Sequence, residues 1–251
     1  MKKFILNKIV LKLLGIVLFV IGWQILATII GQESFVFPGP FITFSKAIEL
    51  LKSLYIYECL YQTMIRMIIG FAISILLGLV FGTLAGSNNK IEELFKPTMT
   101  ILRSVPTATL VYLFLVIAGA RITPMLVAIL VSFPIIYESV VGGIKSTPSD
   151  ILDASKVDSS NNFDILLRIR IPLAIPYIIV GIVSSFALSL KIEIMAEVIT
   201  GYTRLGLGSA ILAAQRSDPA NMVLPFAYSL IAIVVMLIFD LLSDYIKNKA
   251  A

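Results

Sequence analysis

Six stretches of this sequence run for 16 to 23 residues without a charged side chain: Leu13–Ile30, Met67–Asn89, Ser104–Ala120, Ile122–Tyr137, Ile171–Leu190 and Pro219–Phe239. A helix needs about 20 mostly apolar residues to cross the hydrocarbon layer. Inside lipid, only a helix or a closed barrel satisfies every backbone polar group. Runs of this length and number predict an all-α polytopic membrane protein with six transmembrane helices. Composition agrees, with 59% hydrophobic and 14% charged residues and a mean hydropathy of +1.00. Soluble domains carry roughly 25% charged residues.

Charge placement orients the chain. With the N-terminus in the cytoplasm, twelve of the twenty basic residues fall inside: Lys2, Lys3, Lys8, Lys12, Lys90, Lys96, Lys145, Lys156, Arg168, Arg170, Lys247 and Lys249. That is the bias expected of cytoplasmic loops. Six spans return the C-terminus to the cytoplasm. The net charge of +5 is therefore topogenic, whereas a nucleic-acid-binding patch would be clustered. The first span follows four lysines but is longer than a signal peptide's apolar core and has no A-x-A-like site, so it reads as an uncleaved anchor.

Between the spans, Phe37-Pro38-Gly39-Pro40 reads as a turn. Phe41 to Tyr57 reads as an amphipathic helix on the outer surface, with Lys46, Glu49 and Lys52 on its polar side. The expected organisation is residues 1–60 for the N-terminal end, first span and external helix, 61–245 for a five-span core with a cytoplasmic loop at 145–171, and 246–251 for a tail. With no histidine and one cysteine, Cys59, the chain lacks a Ser-His-Asp or Cys-His site, a His-ligated metal site and a cysteine zinc cluster. No metal site is expected. No G-x-x-x-x-G-K-[ST] segment is present either, so the chain binds no ATP alone.

The loop beginning Thr147-Pro148-Ser149-Asp150 reads as a short helix from about Pro148 to Val157. Thr147 suits the N-cap, Pro148 the first position, and Asp150 the positive helix end. Ala154, Ser155 and Ser159 are small, which allows another surface to approach. On this pattern alone, an interfacial helix between two spans is a better reading than a docking helix.

Asp153-Ala154-Ser155, three residues, Ser159, and then Ile171-Pro172 resemble the EAA signature of permease subunits of ABC importers, and the register continues through Arg168 and Pro176. Asp153 replaces the signature's Glu, Ser155 its second Ala, and Ser159 its Gly. Three further segments resemble the nitrate/sulfonate/taurine branch: Thr63 to Phe71, Leu102-Arg103-Ser104-Val105-Pro106, and Ala196-Glu197 followed by Gly206-Leu207-Gly208. The resemblance covers roughly residues 60 to 245. It implies a type I ABC importer permease fold in a bacterial inner membrane. It further implies a coupling role for Asp153, Ala154, Ser155, Ser159, Arg168 and Pro172 against a cytoplasmic ATPase subunit, which would hold ATP and Mg. A second permease copy or paralogue and an external substrate-binding protein complete the implied partners.

Ionisable groups at membrane depth are costly and often functional. Arg103, Pro106, Glu138, Glu193, Glu197, Gly206 and Gly208 are the pathway or gate candidates. Each has a plainer reading. Arg66 and Arg103, near span ends, suit snorkelling to headgroups. Glu138 suits a solvated span end. Glu193 and Glu197, four apart on one face, suit a polar helix end beyond the fifth span. Gly201 to Gly208 suits an external loop as well as a re-entrant segment. Gly78, Gly82 and Gly86 repeat every four residues and predict close packing within the chain. Pro124 and Pro134 are expected to kink the fourth span. A stand-alone secondary transporter or channel is the alternative function.

Overall fold

The structure, a computed structural model, describes residues 2–31, 36–158, 161–201 and 205–250. Among them every regular element is helical: α1 (Lys2–Ile30), α2 (Pro40–Leu50), α3 (Leu54–Ser87), α4 (Asn89–Ser104), α5 (Thr107–Ala118), α6 (Thr123–Lys145), α7 (Ser149–Asp158), α8 (Asn162–Ile165), α9 (Ile171–Thr200), α10 (Leu207–Ser217) and α11 (Val223–Ala250). A π-helical turn, Leu166–Arg170, joins α8 to α9. Five helical stretches are long and apolar enough to cross a bilayer: α1, α3, α6, α8 through α9, and α11.

The core is α3, α6 and α9. Helices α3 and α6 run parallel and meet along a glycine stripe. Gly78, Gly82 and Gly86 face Ile136, Val140 and Ile144, one helical turn per step. A Cβ at Gly82 would lie 2.7 Å from the Val140 Cβ. Lipid gives helices no hydrophobic reason to associate, so contact of this closeness is what holds the pair. The stripe is thus an intrachain interface, as its spacing predicts.

Parallel α3 and α6 require the chain between them to return across the membrane. It does so as α4 and α5, which meet at 96°. The uncharged run Ser104–Ala120 thus covers α5 but not α4, and the span expected there is longer than the run and bent. Counting uncharged residues missed that Asn88 caps an amphipathic α4, accepting from the Lys90 amide at 2.9 Å, and that Pro106 breaks the helix at Val105. A proline denies its predecessor the α conformation. Val105 is extended, with φ −72° and ψ 126°. Counting this bent pair as one span gives six candidate crossings among the described residues.

Other boundaries shift too. The outer helix ends at Leu50, and Tyr55 and Tyr57 belong to α3, which Ser53 caps through the Tyr55 amide. Pro124 lies in the first turn of α6, where a proline fits without a kink, whereas Pro134 is internal. α7 begins at Ser149, and the Thr147 hydroxyl donates back to the Ile144 carbonyl at 3.0 Å in place of capping. Helix α1 touches the rest mainly near Trp23, whose indole donates to the Pro38 carbonyl at 3.0 Å and whose ring meets Phe44 and Phe226.

Candidate functional site

The two ends of the bundle are chemically distinct. One end carries α7, the C-terminal ends of α3 and α6, and the last residues of α11. The other carries α10, the start of α6 and the end of α9.

At the α10 end a buried charge cluster joins three helices. Helix α9 presents Ser185, Ser189, Glu193 and Glu197 at every fourth position, all of them buried. Ser189 bonds Ser132 of α6 at 2.6 Å. Glu193 is fully buried and Glu197 is 1% exposed. They lie within α9, not beyond it, which corrects the reading of a polar helix end. Arg66 of α3, 16% exposed, ion-pairs with Glu197 through Nη2 and lies 3.4 Å from Glu193 through Nε. Arg66 therefore does not snorkel; it turns inward. Its Nη2 also donates to the Leu205 carbonyl at 3.0 Å. The Thr63 hydroxyl, one turn before Arg66, stands 2.9 and 3.0 Å from the two Glu197 oxygens and accepts the Leu207 amide at 2.9 Å. The Gly208 amide donates to Glu197 Oε2 at 2.8 Å. Two free N–H groups of the α10 N-terminus are thereby satisfied by one hydroxyl and one carboxylate, the arrangement a helix dipole favours.

The glycines here are steric necessities. A Cβ at Gly208 would strike the Ile194 carbonyl and lie 2.7 Å from the Glu197 Cβ. A Cβ at Gly206 would stand 2.6 Å from Arg66 Nη2. The Gly-Leu-Gly spacing thus lets α10 lay its backbone directly on a charged pair. Gly201 ends α9 in the left-handed conformation, φ 64°. Of the Gly201 to Gly208 segment, Tyr202 to Arg204 lie outside the described residues.

Beside this cluster is a cavity of about 480 Å³ lined by Gln62, Ile65, Arg66, Arg121, Ile122, Met125 and Leu205. Its charged walls are two guanidiniums. Such a volume and mixed lining suit a small organic solute.

The other polar candidates gather toward the α7 end. Arg103, at the end of α4, ion-pairs with Glu138 of α6, and both are about half exposed. Pro106 is the exposed break that follows. Lys145 pairs with Glu92. Arg170 donates from Nη2 to the carbonyls of Gly86 and Ile144, at 3.0 and 3.3 Å. One side chain thereby caps the ends of α3 and α6 where they touch.

Of the loop candidates, Asp153 and Ala154 are exposed on α7, and Ser155 belongs to the same helix. Ser159 lies outside the described residues. Arg168 is exposed, 3.9 Å from Asp164, and Pro172 is exposed in the first turn of α9. The π-helical turn has a local cause: Pro172 and Pro176 remove two backbone donors and crowd the carbonyls before them. The Ile171 amide reaches back five residues to the Leu166 carbonyl.

Reasoning from sequence missed Thr63 and Arg66 as site residues. The available signal was the α9 polar stripe at a period of four, which calls for a partner of opposite charge.

Comparison with known proteins agrees with this arrangement. Residues 74–251 match the family described as binding-protein-dependent transport system inner membrane component, and the chain belongs to that family. It is 26% identical over 228 residues to the putative aliphatic sulfonates transport permease protein SsuC of Bacillus subtilis (strain 168), covering 90% of this chain and 81% of that one. It is 24% identical over 202 residues to the riboflavin transport system permease protein RibX of Chloroflexus aurantiacus, covering 80% and 74%. Its fold matches an inward-facing conformation of the MetNI methionine ABC transporter with a TM-score of 0.66 at 14% identity, covering 81% of this chain and 99% of that one. The chain is thus a membrane-spanning ABC importer permease subunit that forms a pathway for small solutes.

Proposed function

We propose that α7 is the helix through which cytoplasmic ATPase subunits drive this permease, with Asp153, Ala154, Ser155 and Ser159 at the contact and Arg168 and Pro172 behind it. The observation that carries this reading is an exposed group of apolar side chains at α7 and the following turn. Ile151 is 41% exposed, Phe163 62% and Leu167 47%, and the main packing of α7 is against the short α8. An exposed apolar group next to a protruding helix suits a protein partner. In this reading ATP and Mg sit on the ATPase subunits, and both termini of this chain face the cytoplasm with α7. Residues 61–245 act as the moving core, 1–60 as a peripheral arm and 246–251 as a tail. A second permease copy or paralogue completes the pathway, and an external binding protein delivers solute at the α10 end. Glu193, Glu197, Gly206 and Gly208 then form part of the outer gate, and Arg103, Pro106 and Glu138 line the inner half. The cavity's Arg121 guanidinium and Gln62 amide favour a small organic solute that is anionic or rich in hydrogen-bond acceptors, a class that embraces the sulfonates and riboflavin named for its relatives.

The test is affinity purification of the tagged chain from its host in mild detergent, with mass spectrometry of the bound proteins. A stoichiometric ATPase that is lost on Ala154→Arg with Ser155→Glu supports the reading. A chain that emerges without an ATPase under several gentle conditions overturns it.

A further inference from the structure

Glu193 and Glu197 are served unequally. Glu197 accepts from Arg66, Thr63 and the Gly208 amide. Glu193, fully buried one turn deeper, accepts no hydrogen bond at either oxygen. Arg66 Nε is also buried and without a hydrogen bond, although it lies only 3.4 Å from Glu193 Oε1. A buried donor and a buried acceptor therefore face each other without the alignment that would join them. A polar group left this way is costly and calls for an explanation.

We propose that Glu193 is the second station of Arg66 in the transport cycle, with the guanidinium passing from Glu197 to Glu193 and back as α3 and α9 shift against each other. The proposal rests on the reading of this chain as a working permease. The guanidinium already touches both carboxylates, paired with Glu197 through Nη2 and 3.4 Å from Glu193 Oε1 through Nε, so a helix shift of about 1–2 Å, of the kind packed helices make, is enough to trade one partner for the other. The exchange leaves neither acid bare. Full engagement by Arg66 turns the present ion pair, Nε to Oε1 at 3.4 Å, into the first hydrogen bond that Glu193 accepts. Its departure leaves Glu197 with the Gly208 amide, which belongs to α10 and does not depend on α3. The move also breaks the Arg66 bond to the Leu205 carbonyl, which borders the cavity. The Glu197 station therefore holds the segment before α10 against α3, and the Glu193 station releases it.

The two stations make opposite predictions for two isosteric variants. The whole complex, permease with co-purified ATPase, is placed in nanodiscs with spin labels at the exposed Tyr61 of α3 and Gln215 of α10. Cys59 is buried and stays unlabelled. Distances are measured without nucleotide and with ATP and vanadate. Glu193→Gln removes the carboxylate at the second station and shifts the populations about tenfold toward the short α3–α10 distance. Glu197→Gln shifts them about tenfold toward the long one. A residue that only supports folding does not move the populations in opposite directions. If the variants shift the same way, or neither shifts, the proposal is wrong. That result is distinct from failure of the permease reading, which would show as a wild-type chain that retains no ATPase.

Discussion

Arg66 and Arg103 each reach from one helix to a glutamate on another, but the two pairs have different surroundings. Arg66 is 16% exposed and its partner Glu197 1%, whereas Arg103 is 54% exposed and Glu138 43%. A buried pair has lost its water, so neither charge tolerates loss of the other. An exposed pair keeps its alternatives and contributes little on its own. The first pair carries a further hydroxyl, a backbone amide and a second carboxylate. It acts as a joint between α3, α9 and α10, whereas the second is a tether between α4 and α6.

The sharpest way to break the comparison is Arg66→Ala, which leaves Glu193 and Glu197 buried and unpaired. The expected loss is about 3–5 kcal/mol, read as a collapse of folded yield and melting temperature in detergent. A variant as stable as the native chain would mean that the joint carries no load. Gly208→Ala comes next, at about 1–3 kcal/mol, because the new methyl must push α10 off Ile194 and Glu197. It is checked by the same melt and by faster proteolysis near α10. Thr63→Val removes one donor to Glu197 and the acceptor of the Leu207 amide; about 1–2 kcal/mol is expected. A hydrogen-exchange experiment should show the first turn of α10 losing protection while the α7 end is unchanged. Arg103→Ala should cost less than about 1 kcal/mol, a melting shift of only a few degrees. Salt sharpens the contrast. Raising ionic strength from 0.1 to 1 M should erase the coupling between Arg103 and Glu138 in a double-mutant cycle and leave that between Arg66 and Glu197 nearly intact.

Much of this was legible in the residues. Charge-free runs fall on all six candidate crossings because lipid imposes a length on any helix that spans it. The Gly78, Gly82 and Gly86 repeat announced the α3–α6 contact because only glycine permits that approach. In the run Ser104–Ala120 the same rule showed α5 but neither the α4 half of that crossing nor its bend. Hydropathy integrates over a window and does not see that Pro106 turns the chain through 96°. Within the site, Glu193 and Glu197 were visible as one helical face, but nothing local says whether that face meets lipid, water or an arginine. Arg66 lies more than a hundred residues away, and its inward turn depends on the packing of α3 against α9. Arg103 and Glu138 were each singled out, yet their pairing depends on the bend that the hydropathy count missed.

That bend bears on how the protein is made. Helix α5 has 12 residues and a length of about 18 Å, short of the ~30 Å core. A nascent chain emerging at α5 offers the insertion machinery too little apolar length to be released into lipid by itself. Gly119 to Ile122 is a tight connection, and α6 follows at once. The two must therefore partition as a helical hairpin, with α6 supplying the free energy that α5 lacks. A chain that ends after Gly119 and has been released from the ribosome should leave a cysteine introduced in α5 open to a water-soluble thiol reagent, and that access should vanish when the chain also carries α6.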